Sequence, residues 1–205
     1  GGILDDLMLT RWDDAKWGLV VNGACKHADM DHMKEMLPDS IQMTYLDTQA
    51  LIAVQGPRAR DALTRMMPEA GDLVFMRATQ TTWNGHPITL YCCGYTGEDG
   101  YEISIANTEA AELAEALTAL EETTWVGLGA RNSLRLETGL CLYGNDLTTE
   151  TTPIEADLLW SIQKRRRTEG GFLGADVILQ QINDGAPRKR VGIAPVDGRT
   201  PLRDH

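Results

Sequence analysis

Short runs in which apolar and polar positions alternate recur along this 205-residue chain, separated by stretches whose apolar residues return every three or four positions. The first pattern marks half-buried strands and the second amphipathic helices. Residues 3–10 and 17–22 read as two strands joined by the polar link WDDAK. A helix follows from Lys26 to Leu37 and is ended by Pro38. MTYLD (43–47) and ALIAVQG (50–56) read as two more strands, and PRARDALTRMM opens with Pro57 where a first helical turn accepts proline. A second run begins with ATQTTW, turns at Asn84-Gly85 and returns as PITLYCCGY. Asn-Gly is the favoured pair for a type I′ hairpin, whose two central residues both need positive φ. YEISIA (101–106) is a further strand, and the alanine-rich NTEAAELAEALTAL is a helix with Asn107 or Thr108 as its N-cap. The pattern predicts an α+β fold of two loosely repeated β-β-α-β-type units, bounded by INDGAPRKR (182–190).

Composition narrows the class. With 42% hydrophobic and 24% charged residues the chain falls in the globular range. A formal net charge of −11 argues against nucleic acid as a partner, since phosphate contacts need a basic surface. No stretch is apolar over the length a bilayer demands and no signal-peptide pattern opens the chain, so a soluble protein with no membrane partner is expected. The four cysteines, Cys25, Cys92, Cys93 and Cys141, form no CxxC pair and have no histidine at ligand spacing. They read as packing residues in a reducing compartment, with the cytoplasm as first expectation and no metal site. Gly1 feeds directly into an apolar segment and the C-terminal stretch stops just after a strand begins, which reads as a segment of a longer chain.

Four stretches carry candidate chemistry. In GGILDDLMLT, a strand would point Asp5 and Asp6 to opposite faces, so only one of them can face a given pocket. In CCGYTGEDGYEIS, Gly94, Gly97 and Gly100 let backbone approach a ligand. Glu98 and Asp99 disfavour a phosphate there, whereas Tyr95, Tyr101 and Glu102 suit a flat neutral ligand with paired N–H groups. In the stretch from Gly127, Arg131 and Arg135 share a helix face, and a guanidinium there can grip a planar carboxylate or pair with Glu137 and Asp157. Lys164 to Arg167 is the one basic run, either a solvated face or the docking point of an acidic partner.

Taken in order, GGILDDL, VVNGA, LIAVQGP, CGYTGEDGYEIS, GLGARNSLRLETGLCLYGNDL and TTPIEADLLW resemble the aminomethyltransferases, or T-proteins, of the glycine cleavage system. The resemblance covers nearly the whole chain. It implies that the aminomethyl group on the lipoyl arm of H-protein gives its methylene carbon to tetrahydrofolate, releasing ammonia and forming 5,10-methylenetetrahydrofolate. It also implies a folate-binding domain over 1–185, lacking its N-terminal part, and a truncated C-terminal β-barrel domain beginning at 186–205.

By the same resemblance Asp6 is the catalytic carboxylate facing the folate, with Asp5 turned away in a structural part. Glu102 grips the N–H edge of the pterin, and Val20, Asn22, Tyr95 and Arg131 line the folate site. Tetrahydrofolate is a co-substrate, H-protein is the partner with Lys164 to Arg167 as its candidate docking point, and the mitochondrial matrix is the alternative compartment. Asn132 stands where the family usually has aspartate, and Gly23-Ala24 replaces Ala-Ala or Ala-Gly. Folate-dependent demethylases and the folate domains of dimethylglycine- and sarcosine-oxidising enzymes are the alternative reading. A non-catalytic folate-binding protein of the same fold is a further one, though its Lys-Gly-Cys loop is missing where EGGFLGADVI stands.

Overall fold

The computed structural model describes residues 1–198 and is a mixed α and β structure. The strands are β1 (Met8–Arg11), β2 (Trp17–Val20), β3 (Gln49–Gln55), β4 (Arg77–Trp83), β5 (His86–Cys92) and β6 (Gly100–Ala106). The helices are α1 (Lys26–Met36), α2 (Ala59–Met66), α3 (Glu69–Asp72), α4 (Ala110–Thr118), α5 (Leu128–Glu137), α6 (Arg166–Glu169) and α7 (Ala175–Asp184), with one 3-10 turn at Leu159–Ser161. The chain divides into two compact units. One comprises Gly1–Met8, Val20–His32 and the chain from Cys141 onward; the other comprises Leu9–Leu19 and Met33–Leu140.

The second unit is built on an antiparallel sheet in the order β3-β6-β5-β4. The Asn84-Gly85 turn forms as its sequence demands, with φ of 49° and 85°, and sets Trp83 opposite His86. Strand alternation then sorts the side chains. Tyr101, Ile103 and Ile105 of β6 and Ile88, Leu90 and Cys92 of β5 turn to one face, where they pack with Ala59, Leu63, Met67 and Ala70 from α2 to α3 and with Leu113 and Leu117 of α4. Tyr101 is fully buried and donates its hydroxyl proton to the Ala70 carbonyl at 2.8 Å. Arg60 lies over the Tyr101 ring and donates from Nη1 to the carbonyls of Ala70, Gly71 and Leu73. The same register that buries Ile103 turns Glu102 to the opposite face, across from Tyr91.

In the first unit, Cys141, Leu147 and Ala156 form a small core against Ile3, Tyr143 and Leu158. Thr152 and Glu155 satisfy each other reciprocally: the Glu155 carboxylate accepts from the Thr152 amide at 2.9 Å, and the Thr152 hydroxyl accepts from the Glu155 amide at 3.2 Å. Arg188 closes the arrangement from Nε at 2.9 Å, and the two contacts hold the Glu155 carboxyl below its ordinary range despite burial.

Several expectations shift. Residues 3–7 are not strand; pairing starts at Met8, because the Ile3 amide donates instead to the carbonyls of Thr148 and Thr151. WDDAK is a tight turn in which Asp13 Oδ1 accepts from the amides of Ala15 and Lys16, both at 2.7 Å. MTYLD forms no strand. α4 starts later than expected, with Glu109 as N-cap, because the Asn107 amide extends the sheet by donating to Thr48 O at 2.8 Å. From Ala186 to Gly198 the chain forms neither helix nor strand, and Arg199 to His205 lie outside the described residues.

Candidate active site

The first unit gathers a carboxylate cluster. The chain before β1 is pinned by the Ile3 amide and by the Tyr143 hydroxyl, which donates to Ile3 O at 3.1 Å. Two residues on, Asn22 grips Asp5 with a two-point fork: its amide donates to Oδ2 at 3.1 Å and its Nδ2 to Oδ1 at 2.8 Å. The same Nδ2 also donates to the backbone carbonyl of Asp6 at 3.0 Å, and the Asn22 carbonyl accepts from Cys25 and Lys26 where α1 begins. Val20, at the end of β2, is half-buried beside this knot in sequence.

The two aspartates differ electrostatically. Burial pushes the Asp5 carboxyl up, but the Asn22 hydrogen bonds outweigh it and hold it below its ordinary value. Asp6 is exposed and has no such donors among the described residues; desolvation by surrounding atoms, followed by the charge of Asp5, raises its carboxyl. The Asn22 fork, rather than strand alternation, holds Asp5, while Asp6 stays exposed.

The second unit gathers a different set. Glu102 is carried on the sheet face away from the core, beside Cys93 and Tyr91. Its Oε2 is buried and has no hydrogen-bond partner among the described residues. Burial raises its carboxyl, opposed by the charge of Arg131 and a hydrogen bond from the Cys93 thiol. The Cys93 thiol is in turn pushed up to about 12 by burial and the Glu102 charge, so it packs and donates rather than reacts. Arg131, exposed on α5, stacks over the Tyr95 ring at 4.6 Å. A flat cationic surface thus stands near a buried acceptor that needs donors.

The loop carrying Tyr95 is fixed by Gln55 at the end of β3. Gln55 Nε2 donates to the Cys93 carbonyl at 3.2 Å, and its Oε1 accepts from the Tyr95 amide at 3.0 Å. A Cβ at either Gly94 or Gly100 would meet the amide end of the Gln55 side chain, which would have to shift. Gly97, at φ +81°, faces Thr138 just as tightly.

Of the residues singled out from sequence, the structure brings Asp5, Asp6 and Asn22 together in one unit and Tyr95, Glu102 and Arg131 together in the other. Arg135 does not join Arg131: it is buried and donates to Asn132 Oδ1 at 2.9 Å and to the Leu140 carbonyl at 3.2 Å, tying the end of α5. Asp157 pairs with Lys189 instead. In the basic run, Arg165 pairs with Glu169, while Arg166 and Arg167 reach the carbonyls of Gly170 and Ile162. All four cysteines are free, and three are buried.

Sequence reasoning missed Gln55 and Asp29. A glutamine ending a strand carries no periodic signal, and Asp29, on the first turn of α1, carries none that ties it to Asp5. His86, Glu109 and Glu112 were also missed; their ligand atoms lie within 4.8 Å of one another at the start of β5 and α4, and only the fold unites them.

Comparison with known proteins places these observations. Residues 1–166 match the model of the GCVT N-terminal domain. The mitochondrial aminomethyltransferase of Mesembryanthemum crystallinum is 44% identical over 214 residues, covering 100% of this chain and 52% of that protein. The probable mitochondrial aminomethyltransferase of Schizosaccharomyces pombe is 38% identical, covering 94% and 51%. The crystal structure of the glycine cleavage system aminomethyltransferase T from Bartonella henselae superposes with a TM-score of 0.83 at 39% identity, over 90% of this chain and 50% of that one. The chain spans about half the length of the curated relatives it matches.

Proposed function

Because this chain belongs to the GCVT N-terminal domain family, we propose that it is the folate-binding part of an aminomethyltransferase of glycine cleavage. The methylene carbon of an aminomethyl group on lipoylated H-protein passes to tetrahydrofolate, giving ammonia and 5,10-methylenetetrahydrofolate. The observation that carries this reading is the Glu102 carboxylate: a buried oxygen without a donor among the described residues, next to an arginine stacked on a tyrosine. A pterin offers the matching edge of adjacent N–H donors and a flat face, and binding would complete a hydrogen bond the protein leaves unmade.

Each residue then has a task. Glu102 accepts from the pterin N–H edge, and Arg131 and Tyr95 border the ring system. Val20 and Asn22 contact the folate, Asn22 from the position set by its fork on Asp5. Tetrahydrofolate supplies the nucleophilic nitrogen. Asp6 stabilises positive charge developing at nitrogen and relays protons; its raised pKa brings it nearer the working pH, where general acid–base exchange is most effective. Two N–H protons leave the folate, one ending on ammonia and one on the lipoyl sulfur, so Asp6 finishes as it began.

The proposed folate-binding domain runs over 1–185, with a β-barrel domain beginning at 186–205. The relatives named as mitochondrial support the matrix over the cytoplasm as the compartment. Lys164 and Arg165, exposed at the start of α6, are the proposed contact for H-protein. Reversing both charges should weaken H-protein dependence strongly at low salt and less at high salt. The test of the chemistry is formation of 5,10-methylenetetrahydrofolate from aminomethyl-loaded H-protein. Asp6→Asn should slow it at least a hundredfold, within the usual span for loss of a general acid–base, with tetrahydrofolate affinity kept. Near-normal turnover by Asp6→Asn would remove the catalytic assignment.

A further inference from the structure

The least satisfied group in the first unit is one the proposed reaction does not use. Asp29, on the first turn of α1, is only 8% exposed, and an ionised Asp29 leaves a buried Oδ2 with no donor among the described residues. It lies in hydrogen-bond contact with Asp5, whose two oxygens already receive the Asn22 fork. Two carboxylates in contact repel each other, whereas one shared proton turns the repulsion into a charge-assisted hydrogen bond. We propose that Asp29 is a positioning residue: its buried carboxyl donates a hydrogen bond to the Asp5 carboxylate, and the Asp5–Asn22 fork so held fixes Asn22 and the Asp6 backbone carbonyl for the bound folate.

The chain of contacts runs without a gap. Asp29 meets Asp5, Asp5 meets both donors of Asn22, and Asn22 Nδ2 meets the carbonyl of Asp6. The groups facing the pair are Cys25, just before α1, His32 on α1 and Tyr143 from the loop before Leu147. Cys25 has its thiol raised by burial and by both aspartates, and burial raises the Tyr143 hydroxyl, so both stay neutral beside the pair. His32, when charged, opposes retention of the Asp29 proton. Burial is the largest cause lifting Asp29, to about 6, and the contact with Asp5 adds to it.

The assignment rests on the folate reading above, and its test separates the two. Carbon-13 labelling of the aspartate carboxyls in this chain should show Asp29 titrating near pH 6, with the Asp5 signal responding in the same step. An Asp29 that titrates in the ordinary range, with Asp5 indifferent to it, overturns the pairing; this readout needs no variant to fold. Asp29→Asn keeps a neutral donor toward Asp5, so it should weaken tetrahydrofolate binding at least tenfold less than Asp29→Ala does. Its affinity should also lose the decline the wild type shows as pH rises through about 6. Equal losses in the two variants would overturn the positioning role. Failure of the wild-type chain to bind tetrahydrofolate would count against the folate reading alone, while the carboxyl titration would still decide the pair.

Discussion

At the scale of single residues, the protein relies on side chains that satisfy several backbone groups at once. Gln55 is the clearest case, since its amide serves the Cys93 carbonyl and the Tyr95 amide together. Gln55→Leu would fill similar space while removing both hydrogen bonds. Unmet buried polar groups cost about 1–3 kcal/mol each, so a lowered melting temperature and weaker folate binding through a loosened Tyr95 are expected from calorimetry. Asp29 gives a pH signature whose sign is fixed. Its folded pKa of about 6 exceeds its ordinary 3.8, so the stabilisation it contributes is full below 3.8 and is lost as pH rises through about 6. Asp5 acts oppositely and elsewhere: its lowered pKa contributes stability present above 3.8 and lost as pH falls through its folded value. The two windows do not overlap, so the melting temperature of the wild type relative to Asp29→Asn should fall between pH 4 and 7.

At the scale of elements, what was legible in the sequence was local. The hairpin at Asn84-Gly85 followed from turn chemistry, and placing alanine at Gly85, with φ of +85°, should cost about 1–2 kcal/mol in equilibrium unfolding. YEISIA was legible as a strand, and its pairing in the sheet turns Ile103 to the core and Glu102 away from it, so Ile103→Ala should cost about 2–5 kcal/mol. Where the expectation failed, long-range partners decided. Residues 3–7 are apolar at three of five positions but give the Ile3 amide to a loop that only folding brings near, and MTYLD finds no strand to pair it. The site was half legible for the same reason. Tyr95, Glu102 and Arg131 announce themselves by type and motif, whereas Gln55 and Asp29 matter because of what they touch, and no spacing in one sequence encodes that.

At the scale of the molecule, each of the two compact units carries one part of the proposed chemistry: carboxylates and an asparagine fork in the first, and the Glu102, Arg131 and Tyr95 set in the second. The central claim is that this chain recognises tetrahydrofolate through Glu102, and calorimetric titration of tetrahydrofolate into the folded chain tests it most directly. The account predicts saturable one-site binding by the wild type, retained by Asp6→Asn and lost by Glu102→Ala. A wild-type chain that melts cooperatively yet binds no tetrahydrofolate, or a Glu102→Ala chain that binds it as tightly as the wild type, would contradict it.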